Sequence, residues 1–191
     1  KNSMEQAIET IRNRIDSLGV KEPSIQQQGE NSIIIQLPGL TDSARARKVI
    51  GTAAVLQFKF VSKDGTVEKH TKEEVILLRE NRHAVTKEII STTPFVLEKK
   101  ILLKGENIKD ARVSISQLTN EVFVSLSFND IGSKVFEEIT SNNVGRLLAI
   151  VLDGKIQSAP KINEAIRGGQ AQISGSFSME EATDLAIILR S

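Results

Sequence analysis

The chain has 191 residues, enough for one ordinary domain or two small ones with a buried core. Lysine and arginine total 25 and aspartate and glutamate total 24, so the formal net charge of +1 gives no electrostatic basis for nucleic-acid binding. Cysteine is absent, which excludes disulfide bonds and cysteine-ligated zinc or iron–sulfur sites. Tryptophan and tyrosine are also absent, which argues against surfaces that stack bases or sugars.

The apolar residues are too dispersed for a membrane-spanning segment. The longest uninterrupted apolar run is Leu147–Leu152, far shorter than the roughly 20 residues that a transmembrane helix needs. The sequence begins with Lys1 rather than methionine and shows no signal peptide. We therefore expect a soluble fragment cut from a longer protein, and a membrane protein is one source that fits.

The first sixty residues predict the element order α-β-β-α-β, from helical spacing at 3–18 and alternation further on. The predicted elements are a helix at 3–18 ending at Gly19, strands at 24–29 and 32–37, a helix from 41 or 42 to about 50, and a strand at 54–61. This order is that of a ferredoxin-like unit, of the βαββαβ type, without its first strand.

We expect residues 1–62 to form this base subdomain, with both helices packed on one face of its sheet. Each apolar stripe needs another helix or strand that buries it, so the residues of these stripes are the predicted core. They are Ile8, Ile11, Ile15, Ile33, Ile35, Leu37, Val49, Ile50, Leu56 and Phe58.

Residues 63–94 are polar and charged, and we interpret them as a connector between two compact parts. Within this connector Val75–Asn81 predicts at most a short helix, and the Thr92–Pro94 segment predicts a break in regular structure. Both histidines of the chain, His70 and His83, lie here without the spacing of metal ligands, so we expect them on the surface.

The second half predicts another α+β unit. It begins with a strand at 121–128 and a helix that starts at 129 and ends at Gly145. Strands at 147–152 and 155–159 follow, joined by an Asp153-Gly154 turn. After a loop or short helix at 160–169 come a strand at 170–174 and a helix that starts with a capping box at 178–181. We assign 95–177 to a head subdomain and 178–191 to a C-terminal helix. The alternative is a single mixed sheet.

Motifs of catalysis and of cofactor binding are missing from the sequence. There is no nucleophile elbow, no phosphate-binding loop and no dinucleotide fingerprint. Glu137-Glu138 and Glu180-Glu181 are neighbours that point about 100° apart on a helix, so they do not form a carboxylate pair. We expect no enzyme activity, no metal and no cofactor. The residues alone indicate an α+β binding or scaffolding domain.

Three sets of stretches, in order along the chain, carry a resemblance to a known family. They are IRNRIDSLGVKEP at 11–23 with IQQQG at 25–29 and IQLPG at 35–39; AVLQF at 54–58; and GRLLAIVLDGKIQSAP at 145–160 with IRGGQAQISG at 166–175 and EEATDLAIILRS at 180–191. Together they resemble the large extracytoplasmic domain of the SecD/SecDF family. The connector at 62–95 departs from the family's pattern, and the family's opening strand with its Gly-Gly signature is missing.

The resemblance implies a function and a location. In this family the domain lies between the first two membrane helices, on the periplasmic or outer side of the plasma membrane, and residues 178–191 would lead toward the next membrane helix. The family assists the SecYEG/SecA translocase together with SecF, and uses the proton motive force to help pull or release preproteins. Its proton-carrying residues lie in membrane helices. We therefore expect an unfolded preprotein, SecF and SecYEG as partners, and neither nucleotide nor nucleic acid.

We predict a polypeptide-binding groove beside 147–174 in the head. The candidate contacts are Ile156, Lys161, Ile162, Ile166 and Arg167. Ile162 and Ile166 share one face if the loop is helical, and the two cations can donate hydrogen bonds to backbone carbonyls of any chain. One alternative is that the isoleucines simply pack the loop onto the sheet. An alternative function is a structural spacer that docks on SecF or SecYEG without holding the preprotein.

We also predict that base and head move relative to each other about two crossings. One is the connector, and the other lies near Gly168, Gly169 or Gly175, because glycine tolerates large backbone changes. The alternative is that these glycines only form turns.

Overall fold

A computed structural model of the chain describes residues 3–83, 85–86, 88–175 and 177–191. Contacts divide the chain into two units, residues 3–53 with Ser191 and a larger unit Ala54–Arg190. The division falls before residue 62, where we expected the base subdomain to end. Both units mix helices and strands, as the predicted α+β class requires.

The first unit holds two helices and a two-stranded antiparallel sheet. Its elements are α1 (Ser3–Ser17), β1 (Ser24–Gln28), β2 (Ser32–Gln36) and α2 (Ser43–Gly51). Gly19 has a φ of 74°, the left-handed conformation that ends a helix. The Asp42 carboxylate accepts a hydrogen bond from the Arg45 amide at 3.0 Å and caps α2. These elements agree with the sequence predictions to within two residues at each end.

Arg14 is buried at the end of α1 and holds the end of α2. Its Nη1 donates to the carbonyl oxygens of Val49 and Ile50 at 3.0 Å each and of Thr52 at 2.7 Å. The last carbonyls of a helix have no partner within the helix, so the guanidinium satisfies groups that burial would otherwise leave unpaired. Ile15 and Val49 are fully buried beside it.

The second unit contains two sheets and two helices. Its elements are β3 (Leu56–Phe60), β4 (Glu74–Arg82), β5 (Ile89–Glu98), β6 (Leu103–Lys104), a 3-10 turn (Gly105–Asn107), β7 (Ile108–Ile115), β8 (Val122–Phe128), α3 (Asp130–Asn142), β9 (Leu148–Leu152), β10 (Lys155–Ser158), β11 (Gln170–Ser174) and α4 (Met179–Arg190). One sheet has the order β5-β4-β10-β9-β3-β6 and the other β11-β8-β7. Among the described residues, β4–β10 is the only parallel pair of the second unit. The single mixed sheet is therefore not what the described residues form.

The main core of the second unit brings one face of β3 and β9 together with β7, β8, β11 and the two helices. At its centre Phe58 meets Phe128 and Phe136 edge-on, with ring centroids 5.6 and 6.2 Å away. A smaller apolar cluster on β5, β9 and β10 contains Leu97, Val151 and Ile156. β9 is a continuous apolar run because its residues contribute side chains to both clusters, one on each face of the strand.

The prediction that β3 belongs to the sheet of the base was wrong. Leu56 and Phe58 pair with β9 on one side, and Phe58 also pairs with β6, so both side chains lie in the core of the second unit. The alternating pattern of β3 correctly predicts that one face of this strand is buried. It carries no information on which distant strand supplies the neighbours, and β9 begins almost ninety residues later.

The helix predicted at Val75–Asn81 was also wrong, because this segment is part of β4 and pairs with β5 in a long antiparallel hairpin. A short apolar run such as Val75–Leu78 fits a strand as well as a helix. The predicted break at Thr92–Pro94 lies inside β5. Proline is tolerated there because β5 is at the edge of the sheet. His70 and His83 are exposed, as expected.

The other helices and strands predicted for the second half agree with the structure, and 160–169 is a loop rather than a short helix, but β6 and β7 were missed. The capping box is present. The Ser178 hydroxyl accepts from the Glu181 amide and the Glu181 carboxylate accepts from the Ser178 amide, both at 3.1 Å.

Candidate functional site

A groove of about 530 Å³ opens in the second unit where the end of β10 and the following loop face β11. Apolar side chains form its floor: Phe58, Phe136, Leu148, Ile150, Ile162 and Ile166. Hydroxyl and amide side chains line its walls: Ser125, Thr140, Ser158, Gln170, Gln172 and Ser174. Two cations complete it, Arg79 from β4 and Lys161 from the loop. An apolar floor with a few polar groups is the usual composition of a binding site.

Thr140 fixes the loop that forms one wall of the groove. Its hydroxyl is fully buried, donates to the Phe136 carbonyl at 2.8 Å and accepts from the Ile166 amide at 2.8 Å. The position of Ile166 therefore depends on one hydroxyl of α3 that satisfies a loop amide. Sequence reasoning had not identified Thr140, because a single threonine within a helix gives no signal of a distant contact.

Replacing Thr140 by valine should lower the free energy of unfolding by about 1–3 kcal/mol, because the Ile166 amide loses its acceptor. Thr140→Ser keeps the hydroxyl and should cost less. Amide hydrogen exchange of Ile166 measures the effect directly. Unchanged exchange in Thr140→Val would show that the hydrogen bond does not hold the loop.

Three predicted contacts, Lys161, Ile162 and Ile166, do line the groove. Ile162 is only 4% exposed and belongs to the main core, whereas Ile166 is half-buried against that core. They are not brought together by a helix. The Ile162 amide donates to the Arg146 carbonyl at 2.9 Å in strand-like fashion, beside a bridge between Leu147 and Lys161.

The other two predicted contacts, Ile156 and Arg167, lie away from the groove lining. Ile156 is 3% exposed within the smaller apolar cluster. The guanidinium of Arg167 is exposed and pairs with Glu137 at 3.3 Å. Ile156 and Ser158 are two residues apart, so regular alternation would put both side chains on one face of β10. The irregularity in the pairing with β9 lies between them and breaks this alternation.

The groove carries positive charge without a compensating carboxylate among the residues that line it. Arg79 is half-buried, and the part of the chain that the structure describes gives it no ion pair. The nearest carboxylate in sequence, Glu80, is already engaged by Lys155 at 2.5 Å and Arg82 at 2.8 Å. Hydrogen bonds from Lys155 and then Arg82 hold the pKa of Glu80 below its ordinary value. This surface suits a ligand that is neutral or acidic.

Ser158 carries a buried hydroxyl group that lacks a hydrogen-bond partner among the described residues. Its side chain is 8% exposed and lines the groove. Buried hydroxyls normally find a partner, so a ligand group that bonds Ser158 would be favoured. No sequence pattern pointed to Ser158, and Arg79 was missed because its strand was interpreted as part of a connector.

The predicted hinge glycines surround β11. Gly168 and Gly169 have φ values of 86° and 64° and turn the chain into this strand. A Cβ on Gly169 would collide with the Ser133 side chain, and its carbonyl accepts from the Phe128 amide at 2.8 Å. Gly175 follows β11 and has no positive φ. Both glycines of the turn have a local structural reason, and a hinge role for the three stays a prediction.

No helix in the described ranges is long and apolar enough to cross a membrane. The same ranges contain no cluster of three or more histidine, aspartate or glutamate side chains that could hold a metal ion.

Two family descriptions match consecutive parts of the chain. Residues 4–63 match the N-terminal part of the P1 domain of the protein translocase subunit SecDF, and residues 69–191 match the P1 head subdomain of SecDF. The SecD translocase subunit of Calditerrivibrio nitroreducens is 48% identical over 194 residues, which cover 98% of this chain and 38% of the relative. That of Rickettsia typhi is 40% identical over 192 residues, which cover 98% and 36%. The chain thus spans less than two fifths of these relatives.

Solved structures agree. A crystal structure of SecDF in a super-membrane-facing form has a TM-score of 0.77 and 38% identity, with 98% of this chain and 26% of that chain covered. A structure of SecDF, described as a membrane component that enhances protein export, has a TM-score of 0.74 and 39% identity, with 98% and 86% covered. They confirm the resemblance and the α+β class with base and head subdomains. The chain belongs to the SecD/SecDF family of protein translocase subunits and corresponds to its P1 domain.

Proposed function

We propose that the groove of the second unit holds an unfolded preprotein segment while the translocase subunit assists its passage across the plasma membrane. The groove itself carries this proposal. It combines an apolar floor, uncharged polar walls and two cations, so it offers contacts that many unrelated chains can make. A general translocation aid needs such sequence-tolerant contacts.

The wider setting of the proposal comes from the family. A relative with a solved structure is described as a membrane component that enhances protein export, and the matched relatives are named translocase subunits. We infer that the P1 domain lies on the extracytoplasmic side, with SecF and SecYEG as partners, as the resemblance of the sequence to the family implies. Motion of the head, together with β3 that pairs with β9, against the base would couple the proton motive force to the held chain, with the glycines near β11 as one candidate crossing. The predicted connector at 63–94 is not a free crossing, because β4 and part of β5 lie in the same sheet as β3 and β9. The C-terminal helix at 178–191 would transmit that motion toward the membrane part.

Photocrosslinking in the full-length protein tests where the preprotein lies. A photoreactive residue at position 166 or 161 should crosslink to a stalled preprotein, while one at the exposed Leu118 or Ile131 should not. Crosslinks to SecF or SecYEG in place of the preprotein would support the docking spacer and contradict the proposal.

Replacing Ile166 by serine should weaken crosslinking to an unfolded peptide several-fold with only a small change in melting temperature, because the side chain is half-buried and lines the groove. Ile162→Ser is the matched comparison. Its side chain is buried, so we expect a marked drop in melting temperature. If Ile166→Ser lowers the melting temperature as much as Ile162→Ser does, Ile166 is a core residue and not a contact.

A further inference from the structure

The β11 strand has an unpaired edge. It is the outer strand of the three-stranded sheet and pairs, among the described residues, with β8 alone. The register is antiparallel, with Gln170 opposite Ser127 and Ser174 opposite Phe123. One residue before the strand, the Gly169 carbonyl accepts from the Phe128 amide at 2.8 Å, which fixes the phase of the hydrogen-bond pattern.

That phase determines which backbone groups are free. In an antiparallel pair, residues alternate between those that exchange hydrogen bonds with the partner strand and those whose amide and carbonyl point the other way. Because Gly169 bonds to β8, Ala171 and Ile173 do so as well. The amides and carbonyls of Gln170, Gln172 and Ser174 therefore point away from β8, along the open edge.

This edge lacks the devices by which proteins usually block an exposed strand. Such devices are proline, charge, bulges and short length. In the second unit β5 carries Pro94, β6 has two residues, and β7 has a register irregularity after Ile108 and the charge of Arg112. The sequence of β11, QAQIS, contains none of them. Its open edge is thus suited to pairing.

The groove lies against this same strand. Four of the five residues of β11 line it, and Ser158 with its unpartnered hydroxyl lines it from the β10 side. An extended chain laid along β11 would place every second side chain toward the apolar floor. Its other backbone carbonyls would point away from β11, toward the side of the groove that Ser158 and Arg79 line.

We propose that an extended polypeptide segment binds by adding a strand to the free edge of β11, with an apolar side chain in the groove. This inference rests on the proposed function and specifies how the preprotein is held. Main-chain hydrogen bonds supply affinity that is independent of sequence, and the groove adds a preference for one apolar residue. The uncompensated cations Arg79 and Lys161 favour neutral or acidic flanking residues over basic ones.

Backbone methylation of the ligand tests this directly. The probe is a short fluorescent peptide, blocked at both ends, with a central leucine among serine and threonine residues. One derivative carries N-methyl groups on alternate amides and a second carries them on the amides between. Only one of these sets can face β11. We expect one derivative to bind about tenfold more weakly than the parent and the other to bind within a few-fold of it.

The outcomes separate the two proposals. If all three peptides bind equally, the groove binds polypeptide but strand addition is wrong. If the parent peptide does not bind the P1 domain at all, the proposed function of the groove fails. If a basic variant of the parent binds better than an acidic one, the assigned role of Arg79 and Lys161 is wrong.

A substitution in the strand provides a second measurement. Gln172→Pro removes an outward-facing amide and leaves the hydrogen bonds to β8 in place, whereas Gln172→Ala removes only the side chain. Peptide affinity should fall about tenfold more in Gln172→Pro than in Gln172→Ala, with circular dichroism confirming that both fold. Equal affinities for the two variants would overturn the proposal. So would self-association of the chain through β11 that Gln172→Pro abolishes, because a second copy would then be the occupant.

Discussion

Replacing Phe58 by alanine should lower the free energy of unfolding of the second unit by about 3–5 kcal/mol. The ring is 1% exposed and meets the rings of Phe128 and Phe136, so truncation leaves a cavity bordered by two aromatic side chains that are themselves buried. Phe58 also connects the two sheets, since it lies on β3 while Phe128 lies on β8.

Denaturant unfolding followed by far-ultraviolet circular dichroism measures this, because the chain has neither tryptophan nor tyrosine for fluorescence. Phe58→Leu is the matched control. It keeps most of the buried volume and should cost less than half as much. A loss below about 1 kcal/mol for Phe58→Ala would mean that the second unit repacks freely at this point. Because Phe58 also forms part of the groove floor, peptide affinity should be measured on the folded Phe58→Leu protein.

The sequence predicted local structure well wherever the signal is local. The capping box at Ser178, the helix stop at Gly19 and the turn at Asp153-Gly154 each depend on side chains and dihedral angles within a few residues. These features fixed most helix and strand limits. The β4–β5 hairpin was missed because its apolar residues are interrupted by charges, and its burial depends on contacts with β9 and β10.

The groove was only partly accessible to sequence reasoning. The loop that carries Lys161, Ile162 and Ile166 lines the groove, but it forms no helix that would put the two isoleucines on one face. Arg79 and Ser158 come from strands that pair in parallel across a long stretch of chain, and no spacing in the sequence shows that they face the same cavity. The free edge of β11 is likewise a property of the sheet order, which a single strand does not encode.

Under the proposed binding mode, recognition by the groove and the β11 edge would not depend on the sequence of the bound polypeptide. An extended chain presents the same backbone donors and acceptors whatever its sequence, and an unpaired strand matches them without reference to side chains. The apolar side chains of the groove, Ile166 among them, would add affinity for an apolar residue of the bound chain. Release would follow from any motion that tilts the loop held by Thr140 away from β11.

In the first unit, replacing Arg14 by alanine should lower the free energy of unfolding by about 2–4 kcal/mol, because three backbone carbonyls lose a charged donor. Burial lowers the pKa of Arg14, yet a guanidinium stays protonated at neutral pH, so the charged donor is present under ordinary conditions. Water cannot readily replace it at Val49, whose side chain is fully buried.

Amide hydrogen exchange across α1 and α2 is the best measurement for Arg14, because it reports the local stability of the first unit separately from the unfolding of the second. Exchange of both helices should accelerate in Arg14→Ala. Arg14→Lys is the control, since an ammonium keeps the charge but lacks the planar fork that lets one residue reach several carbonyls; its effect should be intermediate. Arg14→Met keeps the length of the side chain without any donor, so it should resemble Arg14→Ala. If Arg14→Met exchanges like the unmodified protein, packing of the aliphatic stem and not the hydrogen bonds to Val49, Ile50 and Thr52 holds the two helices together.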